Sequence, residues 1–341
     1  MLDILEISDL SLHLTQTGRP LLEHFSFTLG AGDRAVLIGE EGNGKSTLLR
    51  YLAQPEALKG YCEAEGRVAL RGRPGYLPQL LPEALRECTP ADYLAEIPAH
   101  RASKLLERLG LPQELAASER PIRTLSGGER VKLQLARILL DEPDVLLLDE
   151  PTNDLDVETL EWLEDFLLHT RLPVLYVSHD ETLIERTANV IVHMEQLRRK
   201  TCCRTTVSRE SYPEYLRRRA NLFDRQEQLA QKQRSDYDKK LERWQQVYQR
   251  VEHEQGSISR GDPHGGRLLK KKMHSVQSQK RRFEREKEAF LDFPETEEAI
   301  LARFPADIVL PAGKTVLDLS LPALYADRRL LARDLRLHVS G

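Results

Sequence analysis

The sequence predicts an α/β domain over residues 1–200, followed by a charged α-helical hairpin over 201–294. Three observations predict it. A glycine-rich loop, Gly39-Glu40-Glu41-Gly42-Asn43-Gly44-Lys45-Ser46-Thr47, stands between an apolar strand, Val36-Leu37-Ile38, and a helical run that continues through Leu48-Leu49. Val145-Leu146-Leu147-Leu148 is a continuous apolar run, the pattern of a strand buried on both faces. From residue 201 the chain becomes dense in Arg, Lys, Glu and Gln, and Pro213 is the only proline before Pro263.

The 341 residues leave room for two domains or one domain with a long appendage. A hydrophobic share of 40% can build a core, which excludes a wholly disordered chain. The longest apolar runs are only a few residues, whereas a membrane helix needs about 18 or more. The start, Met1-Leu2-Asp3-Ile4-Leu5-Glu6, lacks the basic segment of a signal peptide. Cys62, Cys88, Cys202 and Cys203 show no paired metal spacing, and adjacent Cys202-Cys203 makes a poor disulfide framework. A reducing cytoplasm is therefore the expected location. The net charge of −4 hides an asymmetry: residues 201–294 hold 22 Lys+Arg against 14 Asp+Glu, which leaves −12 for the remainder. A basic appendage on an acidic domain points to a polyanionic partner.

Taken in order, strands are expected at Phe25–Leu29, Ala35–Ile38, Val145–Leu148 and Val174–Val177, and helices at Lys45–Leu52, Ala102–Leu109 and Glu129–Leu140. A helical subdomain is expected at about 88–140, with no sizeable arm inserted in it. In the hairpin, Leu222, Leu229, Tyr237, Leu241, Trp244, Tyr248 and Val251 recur at threes, fours or multiples of them, which predicts a long helix with one sticky seam. Gly256 and Gly261-Asp262-Pro263-His264-Gly265-Gly266 break it, and a second helix runs from Arg267 to about Phe290. A repeat follows: Asp9-Leu10-Ser11-Leu12 returns as Asp318-Leu319-Ser320-Leu321, and Arg19 with Leu21-Leu22 returns as Arg328 with Leu330-Leu331. With one inserted residue, Phe25, Phe27 and Leu29 return as Leu335, Leu337 and Val339. Residues 313–341 are thus expected to be the first strands of a second, truncated copy of the first domain.

Three motifs carry chemistry. The loop Gly39–Thr47 fits the pattern GxxxxGK[ST] in the strand–helix context that the motif requires. Its glycines let backbone N–H groups wrap a phosphate, the helix N-terminus adds its dipole, Lys45 neutralises the β- and γ-phosphates, and Ser46 ligates Mg2+. Val145–Leu148 runs into Asp149 and Glu150, suited to a magnesium shell and to polarising an attacking water; alone, the pair fits a solvated strand end equally well. Leu125-Ser126-Gly127-Gly128-Glu129 opens a helix and offers a second anion-binding N-terminus; alone, it reads as an ordinary capping box.

In this order, with Gln79 after the loop and His179 in Ser178-His179-Asp180, the pieces resemble the ATP-binding cassette (ABC) ATPase domain over residues 5–195. The resemblance implies a P-loop NTPase fold of the ABC type, with ATP and Mg2+ as cofactors. Gly39–Thr47 corresponds to Walker A, Gln79 to the Q-loop, and Asp149 to Walker B, with Ser46, Gln79 and Asp149 as metal ligands. Glu150 corresponds to the catalytic glutamate, Asp156 to the D-loop, and His179 to the switch histidine. Leu125, Ser126, Gly127, Gly128 and Glu129 correspond to the signature, which faces a partner cassette or a second copy of the chain in a homodimer. One feature departs from the family: its adenine-stacking aromatic is missing from Leu14-Thr15-Gln16-Thr17-Gly18, whereas the repeat has Tyr325 at the position of Gln16.

Pro151-Thr152-Asn153-Asp154-Leu155-Asp156, the Tyr212-Pro213-Glu214-Tyr215-Leu216 segment and the charged hairpin resemble the ABC-F proteins. That resemblance implies two cassettes in one chain, no membrane domain, and a linker that enters the ribosome and contacts transfer RNA. Translation factors and antibiotic-resistance ribosomal protectors both belong to the group. The basic cluster Arg260, His264, Arg267, Lys270, Lys271 and Lys272, followed by Lys280, Arg281 and Arg282, suits RNA phosphate contact. Few aromatics interleave there, so backbone and shape contact is expected over base stacking. A solvated spacer between cassettes remains the alternative for the hairpin. The ATPase subunit of a transporter and a DNA-associated ABC protein remain alternatives for the whole chain.

Overall fold

The structure, a computed structural model, describes residues 3–197, 201–257, 263–288, 315–326 and 329–340. It divides into two units, Met1–Glu297 and Glu298–Gly341.

The first unit opens with β1 (Leu5–Leu14), β2 (Pro20–Leu29), β3 (Arg34–Ile38), α1 (Lys45–Ala53), β4 (Cys62–Leu70) and β5 (Pro74–Leu77). Next come α2 (Glu83–Arg86), α3 (Pro90–Tyr93), α4 (Ala99–Arg108) and α5 (Gly127–Leu140). The unit continues with β6 (Val145–Asp149), α6 (Val157–His169), β7 (Val174–Val177), α7 (Glu181–Thr187), β8 (Val190–Leu197) and β9 (Cys202–Ser208). Two long helices, α8 (Tyr212–Ser257) and α9 (Pro263–Glu288), complete it. Strands β2-β1-β4 form an antiparallel sheet, and β5-β6-β7-β3-β8-β9 form a second sheet, parallel up to β8.

Alternation along each strand divides the interior. Val145 and Leu147 point into a core shared with the antiparallel sheet and α1, whereas Leu146 and Leu148 point into the opposite core with α6 and α7. Ala35 and Leu37 are separated from Val36 and Ile38 in the same way. A third core, around Leu106, Ile122 and Leu133, holds α4 to α5 and forms the helical subdomain.

The boundary expected at residue 200 lies elsewhere. Cys202–Ser208 is a sheet strand antiparallel to β8, with Ile191 opposite Ser208. Tyr212 and Tyr215, at the start of α8, are buried in the α6–α7 core. The charge of the following helix masks a short β-branched run, Thr205-Thr206-Val207. The linker therefore grows out of the sheet. Arg219 of α8 pairs with buried Glu195 of β8 at 2.8 Å. The Tyr215 hydroxyl and an Arg219 nitrogen each lie 2.7 Å from Nδ1 of the fully buried His193.

The hairpin seam also differs from expectation. Tyr237, Leu241, Trp244, Tyr248 and Val251 are sheltered, but Leu222 and Leu229 are half-exposed. The 46 residues of α8 span about 69 Å and the 26 of α9 about 39 Å, so α9 covers only the distal part. There the Trp244 indole N–H donates to the Val276 carbonyl at 2.7 Å, and the Lys280 ammonium lies over the Trp244 ring.

The second unit contains β10 (Thr315–Ala326) and β11 (Arg329–Ser340), paired antiparallel like β1 and β2. His24 and Asp334, equivalent once the inserted residue is counted, share positive φ angles of 51° and 49°. The register differs: Leu10 faces Phe25, but Leu319 faces Leu337 rather than Leu335. At that pair the shift is two residues, which leaves Leu319 and Leu337 on one face because the strand period is two.

Removing Arg219 takes the close partner from the buried Glu195 carboxylate and leaves it Arg204 at 3.9 Å. Arg219→Ala should lower the unfolding free energy by about 3 kcal/mol, and half-exposed Arg218→Ala by less than about 1 kcal/mol, in urea titrations.

Candidate functional site

The site begins where β3 ends. Gly39 has φ 141°, and a Cβ there would lie 2.1 Å from the Met194 carbonyl oxygen, so the loop passes β8 with no room for a side chain. Fully buried Asn43 donates its amide to that same carbonyl at 2.8 Å. Gly44, with φ 91°, caps α1, whose first turn carries no acidic residue. The positive end of the helix dipole is therefore open to an anion. The ammonium of buried Lys45 donates to the carbonyls of Gly39 at 2.7 Å and Glu40 at 2.9 Å, which holds its charge within the loop. Arg19 donates to the Gly42 carbonyl at 2.9 Å and to Gln196. A cavity of roughly 450 Å³ opens over the loop, lined by Leu14, Arg19, Leu21, Glu41, Gly42, Gly44, Lys45, Ser46, Thr47, Tyr61, Gln79 and Glu150.

Strand β6 delivers the two carboxylates. Asp149 is buried, and the Ser46 hydroxyl donates to its Oδ1 at 2.8 Å. Burial raises the Asp149 carboxyl above its usual range, the Ser46 bond opposes the rise, and the Glu150 charge adds to it. Burial, together with the Asp149 charge, pushes the Tyr76 phenol up to about 12. Ser46 and Asp149 present adjacent hard oxygen donors, one of them a desolvated carboxylate, and this set fits Mg2+. Gln79 shares the cavity with Ser46.

Glu150 turns away from the strand in the left-handed region, with φ 47°. Such a conformation costs about 1–3 kcal/mol and persists only where its surroundings hold it. Its N–H donates to the Val177 carbonyl at 3.1 Å. Its Oε2 accepts from Gln79 at 2.9 Å and from Asn153 at 2.8 Å, and its Oε1 lies 3.5 Å from Nε2 of His179. Three loops thus converge on one carboxylate at the rim of the cavity.

None of Leu125–Glu129 lines that cavity. Ser126 and Glu129 form a reciprocal capping box on α5, at 2.9 and 3.2 Å. A Cβ on Gly127 would lie 2.0 Å from the Asp154 carbonyl oxygen, and one on Gly128 would lie 2.3 Å from the Thr159 hydroxyl. Both glycines therefore admit the loop that follows Glu150 and the start of α6. Asp156 caps α6 by accepting from Thr159 N at 2.8 Å; the Thr159 hydroxyl, and after it this backbone bond, hold the Asp156 carboxyl below the usual range. On α9, Arg267, Lys270, Lys271 and Lys272 are exposed. Arg260 and the His264 side chain lie outside the described residues.

Sequence reading missed four contributors. Asn153 lies within a segment already singled out, and Arg19 had a signal in its recurrence as Arg328. Tyr61 and Tyr76 carried none, because their proximity to the loop arises from strand pairing. No helix among the described residues is long and apolar enough to cross a membrane.

Residues 22–153 match the ABC transporter family model. The chain is 38% identical over 192 residues to an ATP-binding protein Uup-like of Haemophilus influenzae, covering 54% of this chain and 40% of that protein. It is 36% identical over 175 residues to the ribosome protection protein VmlR of Bacillus subtilis, covering 50% and 31%. The chain thus spans less than half the length of these relatives. A nucleotide-free ATP-binding cassette from an ABC transporter superimposes with a TM-score of 0.50 at 19% identity, over 62% of this chain and 92% of that one, and it shares the fold.

Gly39→Ala forces a methyl group into the Met194 carbonyl and should cost about 2 kcal/mol or more, read as a lowered melting temperature. Gly32→Ala, also at positive φ but with open space around it, should cost only about 1 kcal/mol.

Proposed function

We propose that this chain, which carries an ATP-binding cassette of the ABC-F type, hydrolyses ATP to ADP and phosphate and acts on the ribosome. One observation carries the catalytic half: Glu150 is oriented by Gln79, Asn153 and His179 at the mouth of the Lys45–Ser46 cavity. The β- and γ-phosphates bind at the N-terminus of α1 against Lys45. Ser46 and Asp149, with Gln79, hold Mg2+, which when bound neutralises phosphate charge. Glu150 orients a water for attack on the γ-phosphorus and accepts its proton as the bond to the ADP oxygen breaks. The proton then passes to the released phosphate. His179 donates to Glu150 or to the γ-phosphate and holds the array in register.

Ser126–Glu129 serves a second cassette in trans, either one continuing from the β10–β11 hairpin or another copy of this chain. The separation of these residues from the chain's own cavity supports that reading. ATP then joins two cassettes face to face, and hydrolysis parts them.

The ribosomal half rests on the hairpin and on the name of one relative. Helix α9 carries nine Lys and Arg against three Glu. Arg267 and Lys270–Lys272 stand exposed on it, suited to transfer RNA or ribosomal RNA phosphates. A similar chain is named as a ribosome protection protein. Translation factor and antibiotic-resistance protector both fit, and both place the protein in the cytoplasm.

Two measurements test the proposal. Glu150→Gln should retain ATP while turnover falls by about 100-fold or more; hydrolysis at the parent rate would refute the assignment of the base. The same variant with ATP should co-sediment with ribosomes, less so at higher salt, and Lys270, Lys271 and Lys272 changed together to Glu should weaken association about 100-fold. ATP-loaded protein that stays at the top of the gradient would overturn the ribosomal reading.

A further inference from the structure

We infer that Tyr61 is the aromatic platform on which the base of the nucleotide stacks. The inference rests on the nucleotide reading above and adds the residue that selects the base. The cavity carries two kinds of surface. Lys45, Ser46 and the N-terminus of α1 suit phosphates, whereas Leu14 and Tyr61 supply apolar and aromatic surface. A ligand that matches both is a flat ring joined to a phosphate chain.

Tyr61 is placed by the backbone. Its N–H donates to the Leu58 carbonyl at 2.9 Å, and its own carbonyl accepts from Thr15 N at 3.1 Å. It follows Gly60, whose φ of 83° turns the chain into β4, where Cys62 pairs with Leu14. Tyr61 is therefore bonded directly to the segment Leu14–Gly18, which lacks an aromatic of its own. Its side chain is not used in the core: Tyr61 is 53% exposed, among the few large hydrophobic residues that are. An aromatic ring left open beside an anion site is available for stacking, which is sequence-tolerant and favours the larger faces of purines. Tyr61 also borders an adjoining cavity of roughly 580 Å³ near Leu58 and Tyr76, so its ring stands on a rim between two openings.

Binding of ATP, CTP and inorganic tripolyphosphate to the chain tests the inference, by calorimetry on the parent, Tyr61→Ala and Tyr61→Phe. Tyr61→Ala should weaken ATP about ten-fold, reduce the preference for ATP over CTP, and leave tripolyphosphate unchanged. Tyr61→Phe should match the parent. Parent-like ATP binding by Tyr61→Ala overturns the inference. Equal loss of ATP and tripolyphosphate overturns it too, since the residue would then be acting on the fold of the loop. A parent that binds neither ATP nor tripolyphosphate overturns the nucleotide reading itself, and this inference with it.

Discussion

The carbonyl of Met194 is the point to which the phosphate loop is fixed. Gly39 passes it with no space for a side chain, and Asn43 donates to it from within the loop. The flanking residues of β8 serve the other face of the sheet, where His193 and Glu195 hold Tyr215 and Arg219 of α8. One four-residue stretch, ending with Gln196 against Arg19, therefore anchors both the anion-binding loop and the root of the helical hairpin. Alternation of side chains along a strand makes this possible without crowding.

The carboxylate end of the candidate site is organised by desolvation. Asp149 lies at the last position of a strand whose every residue is buried, and Ser46 meets it from the first turn of α1. Glu150 follows immediately but bends out through a strained conformation. Two adjacent carboxylates thus meet different surroundings, one enclosed among Ser46 and Tyr76, the other at the cavity rim among amides and an imidazole. The buried group suits a cation, and the rim group suits a water. The difference is environmental, since the two side chains differ only by a methylene.

The segment Leu125–Glu129 illustrates how one short motif satisfies two demands. Ser126 and Glu129 close a capping box, which any helix start could use. Gly127 and Gly128 answer to packing, because the loop after Glu150 and the start of α6 press against them. The helical subdomain is in this way keyed to the segment that carries Asn153 and Asp156. The hairpin follows a different logic. Among the described residues its distal part is paired through Trp244, Val251 and Val276, while its proximal end is held at the sheet by ionic and aromatic contacts. Leu222 and Leu229 lie between these regions, which is why a uniform helical seam read from periodicity overshoots.

Much of the architecture was legible in the chain itself. Gly39–Thr47 requires particular backbone angles and a following helix, Val145–Leu148 requires burial on both faces, and the two long helices follow from a 3.6-residue pattern with proline only at their starts, although Gly256, Gly265 and Gly266, expected to break them, lie within α8 and α9. These features are local, so spacing alone reveals them. Tertiary structure decided the rest. It carried Cys202–Ser208 into the sheet, brought the Met194 carbonyl against Gly39, gathered Gln79, Asn153 and His179 around Glu150, and set Tyr61 beside Thr15. Asn153 lies three residues from Glu150 and Cys202–Ser208 folds back on the strand before it, whereas the contacts of Gly39, Gln79, His179 and Tyr61 join residues far apart in the chain. Strand order and register create them, and no periodicity within a single segment encodes which distant strand will become its neighbour.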